Sequence, residues 1–319
     1  MRNSFLIWIP SLQQFHRFFE LTVDQLRCLL KIIDEEEIEF VFLMNKILRQ
    51  NMDGDIDIDS LTTIDRFVIF LFLKIHSCST YISLSKKCEK CSQVTNIRVD
   101  LNNLVTLIAP KIDKQFATHI PHGDFIVECN IPSLKEEYGI LYFNKVNNIY
   151  NKDAYARLNE YILSHVKKIY IKNTEIVLGN YDYKIQTEIF NKLPAAIVLE
   201  IQRHFLNPIH NDISDISFLD ITCKCGDRFT LSFDVKYIND MIKLIFRDYD
   251  FRGILRMFSS LENIDTKFIA SISPMELDVL YKMNTEAVEN TTAPQENDMF
   301  AMYKNENAHL QESASEFTL

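Results

Sequence analysis

The stretch Lys87-Cys88-Glu89-Lys90-Cys91-Ser92 and the later stretch Thr222-Cys223-Lys224-Cys225-Gly226 decide how this chain can fold. Each places two cysteines on a short turn, and each precedes an alternating apolar and polar run that is typical of a β-strand. Four thiolates on two turns are the ligand set of a closed, tetrahedral, structural zinc site. The sequence therefore predicts one zinc ion held by four cysteines from turns about 130 residues apart: Cys88, Cys91, Cys223 and Cys225.

The spacing within the second pair departs from the usual zinc half-site. Cys88 and Cys91 are separated by two residues, as is common, whereas Cys223 and Cys225 are separated by one. The alternative interpretation is that all four are free thiols on two hairpins without metal. A redox motif fits less well, because no βαβ pattern surrounds the first pair. The other three cysteines lie in apolar contexts and are expected to be ordinary buried thiols: Cys28, Cys78 and Cys129.

The same order of elements surrounds both cysteine turns. A helix over 63–76, apolar on every face, precedes a strand over 80–85, the first turn and a strand over 94–101. The second copy has the same order, with a helix over Ala195–Phe205 and strands over 216–222 and 229–235. The chain is thus expected to be α+β and mainly helical, with two cysteine-knuckle β-ribbons, zinc-ribbon-like and related by a candidate internal duplication.

Composition supports a large, helix-rich core and divides the chain into segments. The 319 residues are 47% hydrophobic and include only 6 glycines. After residue 290 the chain turns to Thr, Asn, Glu, Gln and Ser, which predicts a disordered or loosely docked tail, within which Met299-Phe300-Ala301-Met302-Tyr303 is a short candidate docking segment. We predict an N-terminal helical part with the first ribbon, a middle α+β segment, a part with the second ribbon and the C-terminal helices, and the tail: 1–105, 106–192, 193–289 and 290–319.

Charge and motifs exclude several function classes. The net charge of −10 and the pI near 5.3 argue against broad nucleic-acid binding. No signal peptide is expected, and the most apolar run, 67–73, is far below the roughly 18 residues that a membrane span needs, so we expect an intracellular protein. No nucleophile elbow, P-loop, dinucleotide-binding turn or H-E-x-x-H motif occurs, which predicts that the chain is not an enzyme.

Three other groups of candidate ligands are weaker. The acidic run over 53–59 lacks the glycine and glutamate that a calcium loop requires at its sixth and twelfth positions, so a solvated loop is expected. His119 and His122 are expected in a loop without a metal. His204 and His210 flank the second ribbon and would be substitute ligands if one cysteine did not bind.

Seven stretches carry a resemblance to a phage family through their order over about 280 residues. In chain order they are Ile9-Pro10, 21–31, 61–67, Cys88-Glu89-Lys90-Cys91, Cys223-Lys224-Cys225-Gly226, Asp248-Tyr249-Asp250-Phe251 and Ser273-Pro274-Met275-Glu276-Leu277. This order resembles the baseplate hub assembly proteins of T-even-type contractile-tail phages. The departures are the shortened second turn, the poorly matched middle and the extra tail.

The resemblance implies a late structural or assembly protein of the phage tail baseplate hub. It implies contacts with other hub or tail proteins, and a location in the host cytoplasm during assembly or in the tail baseplate of the virion. The alternative is a zinc-ribbon regulatory protein of phage transcription or replication, for which the sequence offers a local basic cluster: Lys86, Lys87, Lys90 and Arg98. An enzyme with a site in the middle segment is the third class.

Overall fold

The computed structural model describes residues 2–103, 105–106, 117–146, 154–205, 219–231, 237–247, 251–261 and 264–292. Within them helices predominate, and the strands form small sheets whose pairings are all antiparallel. This mixture agrees with the predicted α+β class.

The N-terminal part contains a three-stranded sheet, three helices and the first ribbon. Strands β1 and β2 form a hairpin, and the short strand β3 pairs with β2. Strands β4 and β5 pair with each other and carry the first cysteine turn. The bounds are β1 Ser4–Ile9, β2 Gln14–Phe19, α1 Val23–Ile32, α2 Glu37–Asn51, β3 Met52–Asp53, α3 Thr63–Ser77, β4 Tyr81–Lys87 and β5 Val94–Asp100.

The middle and C-terminal parts contain a four-stranded sheet, the second ribbon and most of the remaining helices. In the middle the elements are β6 Ala117–His122, β7 Phe125–Asn130, α4 Leu134–Val146, α5 Ala154–His165, β8 Val166–Ile171, β9 Thr174–Val177 and α6 Tyr183–Phe190. In the C-terminal part they are α7 Ala195–Phe205, β10 Leu219–Thr222, β11 Arg228–Leu231, α8 Ile238–Phe246, α9 Phe251–Ser260, α10 Thr266–Ser271 and α11 Pro274–Thr292.

Local sequence signals start the first and third helices. The spacing of Thr22 and Gln25 predicts a capping box, and Thr62 or Thr63 is expected to cap the later helix. Thr22 accepts a hydrogen bond from the backbone N–H of Gln25, and the Gln25 side chain accepts one from the backbone N–H of Thr22. Thr62 and Asp65 form the same capping box at the start of α3. Each box satisfies two backbone donors that a helix start leaves unpaired.

Helix α3 lies at the centre of the N-terminal core. Thirteen of its fifteen residues are buried, Phe72 is half-buried and His76 near its end is exposed. This burial agrees with the apolar residues that the sequence places on every face of the helix. Phe70 packs edge-to-face against Phe246 of α8, with 6.1 Å between ring centroids. The helix therefore joins the N-terminal part to the C-terminal part through its apolar surface.

The middle segment contains one strand that the sequence did not indicate. His119 and His122 were expected in a loop, but they lie on strand β6, an edge of the four-stranded sheet in the order β6-β7-β8-β9. Pro121 of this strand pairs with Ile126 of β7. An edge strand tolerates a proline that lacks an N–H, whereas a central strand does not, so the proline hid the strand from a pattern-based prediction.

Other predicted elements shift by a few residues or fall outside the described residues. The sequence predicts a helix over 154–167, but helix α5 ends two residues earlier, at His165, because the chain enters β8 at Val166. Parts of the predicted strands at 216–222 and 229–235 and most of the tail lie outside the described ranges. The sequence predicts a break between helices over 248–251; its first three residues also lie outside these ranges, and Phe251 is the first residue of α9. Among the residues that the structure describes, no helix is both long and apolar enough to cross a membrane.

Candidate metal centre

The first cysteine turn closes the ribbon of β4 and β5. The last strand pair is Lys87 with Val94. Beyond this pair, the backbone N–H of Cys88 donates to the carbonyl oxygen of Gln93 at 2.8 Å. The N–H of Ser92 donates to the carbonyl oxygen of Cys88 at 2.9 Å. Ser92 has a φ of 60°. A left-handed residue directly after the second cysteine thus turns the chain back into β5.

The second cysteine turn closes the ribbon of β10 and β11 in the same way with one residue fewer. The N–H of Cys223 donates to the carbonyl oxygen of Asp227 at 2.8 Å. The N–H of Gly226 donates to the carbonyl oxygen of Cys223 at 2.9 Å. Gly226, at a φ of 84°, takes the left-handed position. The shortened spacing therefore corresponds to a tighter turn, with a hydrogen bond over three residues instead of four.

The two turns bring the four predicted ligands together. Their sulfur atoms all lie within 4.8 Å of one another. The Sγ–Sγ distance is 3.4 Å between Cys91 and Cys223 and 3.8 Å between Cys88 and Cys225. A tetrahedral zinc ion with Zn–S bonds of about 2.3 Å separates its sulfurs by about 3.8 Å. The cluster therefore matches the size of a four-thiolate zinc site, and the cysteines are free thiols rather than disulfides.

The surroundings of the sulfurs shift the thiol pKa values of Cys223 and Cys91 in opposite directions. The backbone N–H of Cys225 has the largest effect on Cys223 and lowers the pKa of its thiol to about 7. For Cys91 the backbone N–H of Gln93 acts in the same direction, but burial and the other three thiols raise its pKa to about 12. A cation at the centre would stabilise the thiolate form of all four, because metal binding displaces the thiol protons.

The exposure of the cluster is typical of a structural site. Cys88 and Cys223 are only 1% and 2% exposed, Cys91 is half-buried, and Cys225 is exposed. Asp227 places its Oδ2 3.7 Å from the Cys88 sulfur. Four protein ligands would leave no position for a substrate or water, and that arrangement stabilises a fold rather than catalysing a reaction.

Among the described residues, no other candidate ligand joins the cluster. The ring of His204 packs edge-on against Phe205, with 5.0 Å between centroids, and His210 lies outside the described residues. His119 is exposed on β6, where its Nε2 lies 3.8 Å from Glu128. Of the three remaining cysteines, Cys78 and Cys129 are buried as predicted, and Cys28 is half-buried. Burial raises the pKa of Cys129 to about 12, which keeps that thiol protonated.

A buried polar network around Arg66 was missed from the sequence. Arg66 is fully buried in α3 and forms an ion pair with Glu137 of α4, at 2.6 Å between Nη1 and Oε2. Its Nη2 also donates to Oε1 of Glu137 at 2.7 Å and to Oδ1 of Asn239 of α8 at 2.6 Å. Asn239 donates in turn to Glu37 of α2 at 2.7 Å, and Lys243 lies 3.3 Å from that carboxylate.

This network joins helices from three of the predicted segments. Arg66 belongs to the segment 1–105, Glu137 to 106–192 and Asn239 to 193–289. Buried charges are costly unless they are paired and hydrogen-bonded, so the network favours one mutual arrangement of the four helices. The sequence signal was an arginine directly before the apolar run 67–73 of α3.

Comparisons with known proteins assign the chain to a family. A family model described as T4 bacteriophage base plate protein matches residues 1–243. The match includes both cysteine turns, the central helix α3 and the Arg66 network. No curated protein and no solved structure matches the chain.

Proposed function

We propose that this chain, which belongs to the T4 bacteriophage base plate protein family, is a structural or assembly protein of the baseplate hub that acts through protein–protein contacts. The family match over 243 of the 319 residues is the observation that carries the proposal. It supports a structural role in the viral tail rather than catalysis. The hub is the finer assignment, and it rests on the order of motifs along the sequence.

The four-cysteine cluster is proposed to bind one structural zinc ion. Cys88 and Cys91 would supply two ligands from the first ribbon, and Cys223 and Cys225 two from the second. The sulfur distances and the donors around Cys223 support this assignment. The ion would fix the two ribbons to each other, so zinc has a shape-determining role and not a chemical one.

The two ribbons are proposed to descend from an internal duplication. Both end in a turn whose first cysteine donates its N–H across the turn, and both have a left-handed residue after the second cysteine, Ser92 or Gly226. We also propose that the segments 1–105, 106–192 and 193–289 are the units that the zinc site and the Arg66 network join, with 290–319 as a tail.

An exposed aromatic surface on α2 and α4 is proposed as the contact with a neighbouring hub or tail protein. Phe42 and Tyr142 are 52% and 56% exposed, and Tyr138 lies between them, with ring centroids 6.2 and 6.3 Å apart. Aromatic side chains contribute most of the binding energy in many protein interfaces. Lys145 pairs with Glu36 and Glu39 at the rim of this surface and adds charge that orients a partner.

Affinity capture from phage-infected cells tests the proposal. A tagged chain should recover hub or tail proteins, and Tyr142→Asp should lose them while its melting temperature stays unchanged. Phe268→Asp is the matched control, since Phe268 is similarly exposed, at 49%, on α10. Recovery of polymerase subunits or DNA instead would support the regulatory alternative. No observation on the described residues supports that alternative. Recovery of no tail protein would contradict the hub assignment.

A further inference from the structure

A groove lies between helix α11 and the base of the first ribbon. It has a volume of about 480 Å³. Its floor is apolar, because Leu26 of α1, Ile254 of α9 and Leu277 of α11 are buried there. Tyr81 of β4 and Met275 of α11 also line the groove and are 44% and 43% exposed. Sites that bind apolar groups commonly have volumes of about 300–1,000 Å³.

Helix α11 is apolar on both its inner and its outer side. Leu277 is 2% exposed and faces the core, whereas Met275, Val279 and Met283 recur every four residues and are 43–62% exposed. Of these three, Met275 lines the groove, and its exposed side chain adds apolar surface beside the buried floor. Three charged residues line the groove: Arg98 of β5, and Asp278 and Lys282 of α11, which pair with each other at 2.6 Å. The lining therefore carries one net positive charge.

A segment of matching chemistry follows α11 in the chain. Helix α11 ends at Thr292, and Met299-Phe300-Ala301-Met302-Tyr303 begins seven residues later. This segment, called the 299–303 segment, is a short apolar run within a polar tail. The acidic residues Glu296 and Asp298 directly precede it and complement Lys282 and Arg98 of the groove.

The tether between them has the required length. Seven extended residues span at most about 23–25 Å. Lys282 lies ten residues before Thr292, which is about 15 Å along the helix at 1.5 Å per residue. Met275 lies about 10 Å further back, and five extended residues span a similar length of about 13 Å. A chain that reverses after Thr292 can therefore place Met299 beside Lys282 and Tyr303 beside Met275.

We propose that the 299–303 segment binds in this groove of its own chain, with Phe300 and Met302 as apolar anchors. One side of the groove, from α1, β4 and β5, lies within the family match, and the other, from α9 and α11, lies beyond residue 243. By binding in the groove, the segment attaches the part of the chain after residue 243 to the first ribbon. Methionine side chains on both surfaces adapt to each other without a fixed rotamer, which suits a short tethered segment.

Photo-crosslinking in the full chain tests the placement. A benzoylphenylalanine in place of Phe300 should crosslink, after irradiation, to peptides that contain Met257 or Met275. Mixing chains labelled with ¹⁴N and ¹⁵N separates the two sources of a crosslink. Crosslinks within one chain support the proposal. Crosslinks between isotopically different chains, or only to residues outside the groove, contradict it. The same probe at Leu310 is the positional control and should crosslink to the groove peptides much less than the probe at position 300.

Hydrogen exchange of the full chain gives the second test. Phe300→Asp combined with Met302→Asp should raise amide exchange about fivefold or more across the first two turns of α11, because the groove loses its cover. Exchange in α2 should stay unchanged. Met275→Asp should weaken the photo-crosslink at least about fivefold, whereas Met283→Asp, on the same helix but outside the groove lining, should not. Equal loss in both variants, or unchanged exchange, overturns the proposal.

Discussion

Replacing Glu137 by glutamine tests the ion pair that joins helices α3 and α4. The substitution keeps the side-chain volume but removes the charge that lies 2.6 Å from Nη1 of Arg66. Arg66 has no exposed surface, so its guanidinium would keep its charge without a carboxylate partner. Breaking a buried pair in this way costs about 3–5 kcal/mol.

The position of the pair sets the expected size of the effect. The Glu137 side chain is 14% exposed, and glutamine still accepts one hydrogen bond, so we expect a loss near 3 kcal/mol, about the lower end of that range. For a chain of this length the melting temperature should fall by about 5–10 °C. Thermal unfolding followed by circular dichroism measures this change.

An exposed pair on α11 supplies the matched control. Asp278→Asn makes the same carboxylate-to-amide change opposite Lys282, where the two side chains are 46% and 65% exposed, and should cost less than about 1 kcal/mol. Adding Arg66→Met to Glu137→Gln should restore part of the lost stability, because the unpaired charge is then gone. Equal melting temperatures for Glu137→Gln and Asp278→Asn would refute the reasoning.

Three further predictions concern single residues. Burial lowers the pKa of His165 from 6.5 to about 3. The unfolded chain therefore binds a proton that the folded chain does not, so the free energy of unfolding falls as the pH drops from 6.5 towards 3, by about 2 kcal/mol between pH 7 and pH 5. His165→Phe should flatten this part of the pH–stability curve. An unchanged curve would contradict a lowered pKa for His165. Ser92→Gly should raise the free energy of unfolding by up to about 1 kcal/mol, and Gly226→Ala should lower it by about as much, because both positions have a left-handed backbone that favours glycine. Urea unfolding measures both changes, and effects of the same sign would contradict the prediction. Thr22→Ala removes one half of a capping box and should cost about 1 kcal/mol, whereas Thr22→Ser should cost much less.

Features that depend on neighbouring residues could be predicted from the sequence. The capping box of Thr22 and Gln25, the buried helix α3 and the helix Ala195–Phe205 all follow from spacing within one or two turns. The four candidate ligands were predicted because a shared zinc site is one explanation for both short cysteine turns. Nothing in the local sequence indicated that the one-residue spacing of Cys223 and Cys225 would suit such a site. The tighter hydrogen-bonded turn at Cys223 explains how both sulfurs of the second pair reach the four-cysteine cluster.

Features that depend on distant partners could not be predicted. Arg66 stands out in an apolar helix, but its partners Glu137 and Asn239 lie 71 and 173 residues further along the chain. Strand β6 was missed because Pro121 is compatible with a strand only at a sheet edge, and edge position is a property of the whole sheet. The groove beside α11 likewise forms from residues as far apart as Leu26 and Lys282.

The zinc content of the purified chain tests most directly whether the two cysteine turns share one metal ion. Native mass spectrometry should find one zinc ion per chain. Cys91→Ser and Cys223→Ser, one from each ribbon, should each lose that ion, whereas Cys129→Ser, which removes a buried thiol outside the cluster, should retain it. A chain without zinc, or loss of zinc from variants of only one ribbon, would contradict a shared zinc site.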